Sequence, residues 1–203
     1  MIIYIDNVPR SYDIQSEEEM NASWIDITKE FMSNGQILSS VVIDDVVYYD
    51  SYASELLTRY DKINTVKITT ITKEQSFFMT LQEFQEYSGK VMSSMGDYIQ
   101  PLYSGSMETS KDILPIITES VQWVVSALSY IQHVSQEVKV DPLIQDIINH
   151  AVEKFMPIVK LLLDEIESEN TIGFADLINY EFIPLVEEFY HKSKGLEITS
   201  LPN

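Results

Sequence analysis

The chain has 203 residues, of which 45% are apolar, an ordinary globular share that excludes a disordered or fibrous polypeptide. Its 13 Lys and Arg stand against 32 Asp and Glu, a net charge of −19, so phosphate backbones and anionic headgroups are repelled. Neither nucleic acid nor a membrane surface is an expected partner, and the absence of cysteine removes disulfides, thiolate metal sites and cysteine nucleophiles.

Met1–Asp6 reads as a strand, too short for the apolar core of a signal peptide and without a basic segment before it. Asn7-Val8-Pro9 punctuates a turn into a second short strand near Arg10–Ile14. Ser16 followed by Glu17, Glu18 and Glu19 is a helix start. It supplies an N-cap hydroxyl, a glutamate at N3 and acid near the positive dipole end. Met20, Trp24, Ile27 and Phe31 follow at helical spacing, and Asn34-Gly35 supplies the stop. Ile37–Ile43 and Val46–Tyr49 are β-branched and aromatic runs around Asp44-Asp45, a hairpin pattern in which the two acids serve the turn. Tyr52–Tyr60 suits a short helix and Thr65–Ile71 a last strand.

The order β-β-α-β-β-α-β over residues 1–71 resembles the β-grasp, or ubiquitin-like, fold. That resemblance rests on topology and implies an interaction domain; no Gly-Gly terminus follows the last strand to suggest a conjugated modifier. If Met1, Ile3 and Ile5 point inward, Ile2 and Tyr4 lie on the opposite face. This is apolar enough to expect packing on the rest of the chain or on a partner.

From residue 72 the period is helical. Phe77, Leu81, Phe84, Val91, Met95 and Leu102 form the first stripe, and Ile113, Ile117, Val121, Val124, Leu128 and Val134 the second, with a break at Gly105. Asp141-Pro142 is an N-cap with proline at N1, opening a third stripe through Ile148, Phe155, Leu162 and Ile166. Asn170 or Thr171 opens a fourth, through Phe174 and Phe189, ending near Gly195. Four long helices on short loops predict an antiparallel four-helix bundle over 72–195, with helices two and three the most buried and 196–203 a flexible tail. The whole is therefore expected to be α+β. The uncharged stretch Ser120–Gln136 is shorter than a membrane span needs and reads as a buried helix.

Chemistry-bearing patterns are sparse. Pro101, Pro115, Pro157 and Pro184 recur in similar settings, the last three inside helical stripes, where each removes a backbone bond and either kinks the helix around a compact core or opens a groove for a partner. Glu188 and His191 have the Glu-x-x-His spacing of carboxylate-bridged di-metal bundles. Those sites need a second such pair, and neither His133 nor His150 has a glutamate three residues before it. No Gly-x-Ser-x-Gly elbow or glycine-rich phosphate loop occurs. No cofactor, metal site or catalytic set is expected. Tyr48, Tyr49, Tyr52 and Tyr60 cluster around the second hairpin, either clamping the sheet edge or offering contact area at low entropic cost.

The stretch Phe174–Glu188 resembles the closing helix of an uncharacterised Gram-positive bacterial family, with the pattern A-D-L-L-x-Y-E-L-x-P-L-x-E. Gly35–Asp44 is similar to that family's G-x-x-x-x-x-V-x-x-D strand. The resemblance implies structural motifs and no assigned activity, ligand or functional residue.

These features point to a non-enzymatic cytoplasmic protein that acts as an adaptor or chaperone. Its partner would be a protein with a basic surface, and Ile2, Tyr4, Tyr48, Tyr49, Tyr52 and Tyr60 are the candidate interaction surface. The alternative is a small-molecule or metal-dependent enzyme using the bundle interior, which requires carboxylates or histidines facing inward. A nucleic-acid mimic requires acids on one face, whereas −7 falls in residues 1–71 and −12 in 72–203, roughly in proportion to length.

Overall fold

The computed structural model describes residues 1–104 and 107–194; the expected tail over 196–203 and the break at Gly105 lie outside them. The protein is α+β and divides into two units, Met1–Ser76 and the remainder from Phe77.

The first unit holds a mixed five-stranded sheet. Its elements are β1 (Ile2–Ile5), β2 (Val8–Ser11), α1 (Glu17–Ser33), β3 (Gln36–Ile43), β4 (Val46–Tyr48), α2 (Tyr52–Thr58) and β5 (Thr65–Thr72). The spatial order is β2-β1-β5-β3-β4, with β1 and β5 parallel and every other neighbouring pair antiparallel. Two-residue turns close both hairpins, with φ of 46° and 68° at Asp6 and Asn7, and 44° and 71° at Asp44 and Asp45. Positive φ at both central residues matches the right-handed twist of the strands, and Asp and Asn tolerate it better than most side chains. The first turn is therefore Asp6-Asn7, not Asn7-Val8-Pro9, and the second strand is Val8–Ser11 rather than Arg10–Ile14. Pro9 lies within this edge strand, where its missing N–H is tolerated.

Each turn also reaches the central strand β5. Asp44 accepts from the backbone N–H of Asn64 at 3.0 Å and Thr65 at 2.9 Å. Asp6 accepts from the N–H of Thr70 at 2.8 Å and its hydroxyl at 2.6 Å. The helix start follows the expected cap: the Ser16 hydroxyl accepts from Glu19 N–H, and the Glu19 carboxylate accepts from Gln15 N–H. Met20, Ile27 and Phe31 of α1 are buried in one cluster with Ile3, Val41, Ile43, Val66 and Ile68 of the sheet and Leu56 of α2. An Arg10–Glu30 pair, two-pronged at 2.5 and 2.6 Å, ties β2 to α1.

The second unit is helical: α3 (Lys73–Ile99, begun at the end of the first unit), α4 (Met107–Ser135), α5 (Pro142–Glu167), α6 (Thr171–Leu177) and α7 (Ile183–Lys194). Asp141 and Asn170 cap α5 and α6 through side-chain oxygens that accept from Leu143 and Gly173 N–H. Among the described residues, Phe84, Val124, Ile131, Phe155, Phe174, Ile178 and Phe182 are in one buried core. Two of its aromatic contacts are edge-on, at 5.0 Å for Phe84–Phe189 and 5.4 Å for Phe155–Phe182.

The prolines are absorbed in different ways. Pro115 and Pro157 sit inside α4 and α5, whereas Pro101 falls in a 3₁₀ turn, Gln100–Ser104, that ends α3. Pro184 has no N–H for the carbonyl of Tyr180. The chain widens just before it into a π turn, Ile178–Phe182, in which Ile183 N–H bonds Ile178 C=O five residues back. The fourth stripe is thus two α-helices joined through a π turn.

The expectation that the second and third stripes would be the most buried does not hold for α5. It buries Ile148, Ala151, Phe155 and Leu162 but exposes Leu143, Met156, Leu161 and Leu163. Its apolar arc is wider than the face its neighbours cover. The Lys111–Ser135 stretch of α4 has the length and composition of a membrane span, yet Ile117, Val124, Leu128 and Ile131 within it belong to the core.

Candidate functional site

The sheet of the first unit has one face covered by α1 and one that is not. Because directly paired residues share a face, the ladder traces a row across the uncovered side: Pro9, Tyr4, Lys67, Val42, Val47. Ile2 lies on the same side one step along β1, paired with Ser11 and Thr65. Ile2 is 39% exposed and Val47 50%, while Tyr4 and Val42 are half-buried. The row is apolar except at its centre, where the Lys67 ammonium donates to Asp45 at 3.3 Å in an exposed pair.

Tyr48, Tyr52 and Tyr60 pack against the core cluster, with the Tyr52 ring centroid 5.4 Å from that of Trp24. Tyr49 alone stands out, 81% exposed, just beyond the end of β4. The structure thus brings Ile2 and Tyr4 together with Val42, Val47 and Lys67, which sequence reasoning did not single out. Alternation within Val41-Val42-Ile43 marks Val42 as pointing away from its neighbours. Only the register shows that it lies beside Lys67 and Val47.

In the second unit, one charged group is firmly held. The Glu188 carboxylate of α7 accepts from Lys192 at 2.6 Å and from Lys154 of α5 at 2.9 Å. These bonds, Lys192 first, hold its carboxyl down at about 2. His191 of the Glu-x-x-His pattern is exposed, with its Nε2 3.7 Å from Glu187. Among the described residues, no three His, Asp or Glu side chains gather at one point. The Tyr103 hydroxyl donates to Asp176 at 2.8 Å; burial, then that carboxylate, pushes its proton affinity up to about 12. The chemistry of these groups is that of ion pairs and hydrogen bonds between helices.

The fold and these contacts define an α+β chain with an open, apolar sheet face on one unit and a helical second unit. Residues 79–192, more than half of the chain, match the family described as "Domain of unknown function (DUF8042)", and the chain belongs to it. No curated protein and no solved structure matches. The matched span lies in the helical unit, so the open sheet face is outside it.

Proposed function

We propose that this is a non-enzymatic cytoplasmic protein-binding adaptor, of bacterial and Gram-positive type, whose first unit is a β-grasp head and whose second is an antiparallel four-helix bundle. The strand order β2-β1-β5-β3-β4, with parallel β1 and β5 and one long helix beside the sheet, supports the β-grasp reading. Helical segments on short connections around one core support the bundle. The observation that carries the function is the open sheet face: Ile2 and Val47 remain exposed beside Tyr4 and Val42 on a unit of net charge −7. Exposed apolar area on a unit of net negative charge favours a protein partner whose contact surface is apolar with a basic rim.

The test is affinity capture with the full chain at low and high salt, beside an Ile2→Lys variant that places a cation on the face. The native chain is expected to retain a partner that the variant loses, with weaker retention at high salt. Capture of the same proteins by both chains, or of none under either condition, would sink the proposal.

A further inference from the structure

The turn that ends α1 holds Asn34-Gly35, the chain's single Asn-Gly step. Asn34 is exposed just past the last helical residue, Ser33, and Gly35 sits at φ 73°, a left-handed conformation that turns the chain into β3. Asparagine is a labile residue, and most so before glycine, where no Cβ shields the next backbone nitrogen. Two features of this cap hold the chemistry back. The ψ of Asn34 is 7°, so the Gly35 nitrogen nearly eclipses Asn34's own nitrogen, whereas closing a ring on Cγ requires it to eclipse Cβ. The Gly35 N–H is also committed to the Met32 carbonyl at 3.0 Å, and the Asn34 N–H to that of Phe31 at 3.1 Å. Reaction therefore needs rotation about the Asn34 Cα–C bond and loss of the Gly35–Met32 bond. The segment that must open is short. Phe31 is buried before it and Gln36 pairs with Thr72 after it, while Met32 between them is 66% exposed. Helix ends of this kind open locally far more readily than cores.

We infer that Asn34-Gly35 is a self-modifying site, at which opening of the α1 cap gates conversion of Asn34 to an aspartyl or isoaspartyl residue. The inference is independent of the protein-binding reading. In the opened cap the Gly35 nitrogen gives its proton to solvent base and attacks Asn34 Cγ. The new C–N bond closes a succinimide ring, and the side-chain nitrogen takes up a proton and leaves as ammonia. Water then opens the ring and leaves a carboxylate. Addition at Cγ gives an aspartyl residue. Addition at the main-chain carbonyl carbon routes the chain through the side chain, giving an isoaspartyl residue with one extra main-chain carbon. Both products place a negative charge at the negative end of the α1 dipole. The isoaspartyl form also lengthens the link to β3, the strand that carries Val42 of the open face.

The full chain is held in warm neutral buffer, native in one arm and unfolded in urea in the other, and conversion at position 34 is followed by peptide mass mapping. Native conversion is expected, at least about tenfold slower than in the unfolded arm. It should rise in parallel with exchange of the Gly35 amide as sub-denaturing urea is added, because both events need the Met32 bond to break. Equal rates in the two arms would overturn the gate, and conversion confined to the unfolded arm would overturn self-modification of the native chain. A rate that rises with no change in Gly35 exchange would overturn the cap as the element that opens. These arms use the unaltered chain, so none depends on the folding of a variant. The isoaspartyl chain, separated from the aspartyl form, should unfold at a lower urea midpoint than Asn34→Asp, which carries the charge on an unaltered main chain. Equal midpoints would overturn the loosening of the link to β3.

Discussion

At the residue scale, two aspartates do more than turn the chain. Asp6 and Asp44 each occupy a left-handed position in a hairpin turn and accept bonds from β5, a strand far away in sequence. Asp44→Ala keeps the turn's length but leaves Asn64 and Thr65 N–H without their acceptor. The expected cost is about 1–2 kcal/mol, read as a lower urea midpoint. Asp44→Asn, which keeps an acceptor oxygen, should recover much of it. Glu188 makes the pH-dependent counterpart in the helical unit. A carboxyl whose folded affinity for protons is lowered stabilises the fold above the unfolded value, near pH 4.5, and loses that contribution as pH falls towards 2. All three side chains of the network are over a third exposed, so solvent screening holds the effect to about 1 kcal/mol or less. Glu188→Gln should therefore lower the denaturation midpoint at neutral pH, and the gap from the native chain should narrow between pH 4.5 and 2.

At the element scale, the helix starts were legible because capping is local. Ser16 with Glu19, Asp141 before Pro142, and Asn170 all appear in the sequence within three residues of the groups they satisfy. The π turn before Pro184 was not legible, because a proline in a helical stripe can kink, end or widen a helix and packing selects among these. Glycines give a separate test. Gly89 and Gly96 lie inside α3, and an added Cβ would meet nothing within 4 Å. Alanine at either should raise stability by about 0.5–1 kcal/mol. At Gly173 the Cβ would lie 2.4 Å from Asn170 Nδ2 and 2.5 Å from Glu165 Oε2. Glu165 can swing aside, but moving Asn170 breaks the cap of α6, so Gly173→Ala should give none of that gain. Thermal unfolding of the three variants decides the ranking.

At the scale of the whole molecule, the described residues build two hydrophobic cores, one in each unit, and each has a tryptophan to report on it. Trp24 packs on Tyr52 in the first, while Trp123 lies 4.1 Å from the Tyr87 ring and 6.3 Å from Phe84 in the second. Phe84→Ala removes a fully buried ring that also meets Phe189 edge-on. In a Trp24→Phe background, the transition followed by Trp123 fluorescence should lose about 3–5 kcal/mol.

Most of the element order could be read from the chain, because strand alternation, helical spacing, caps and turn residues are properties of neighbours a few positions apart. The same local reasoning misplaced the first turn, since Asp6-Asn7 and Asn7-Val8-Pro9 both carry turn residues and only the pairing of Ile5 with Val8 selects between them. It left open whether the four tyrosines close in sequence clamp the sheet or offer a contact surface, and three of them pack on the core. Composition and patterning by themselves determined an acidic α+β chain with a small sheet followed by helices. The tertiary structure alone decided that Tyr4, Lys67, Val42 and Val47 stand in one row and that β4 is a free edge. Both depend on which strands pair and in what register, and those pairings join residues too distant along the chain for local pattern to specify.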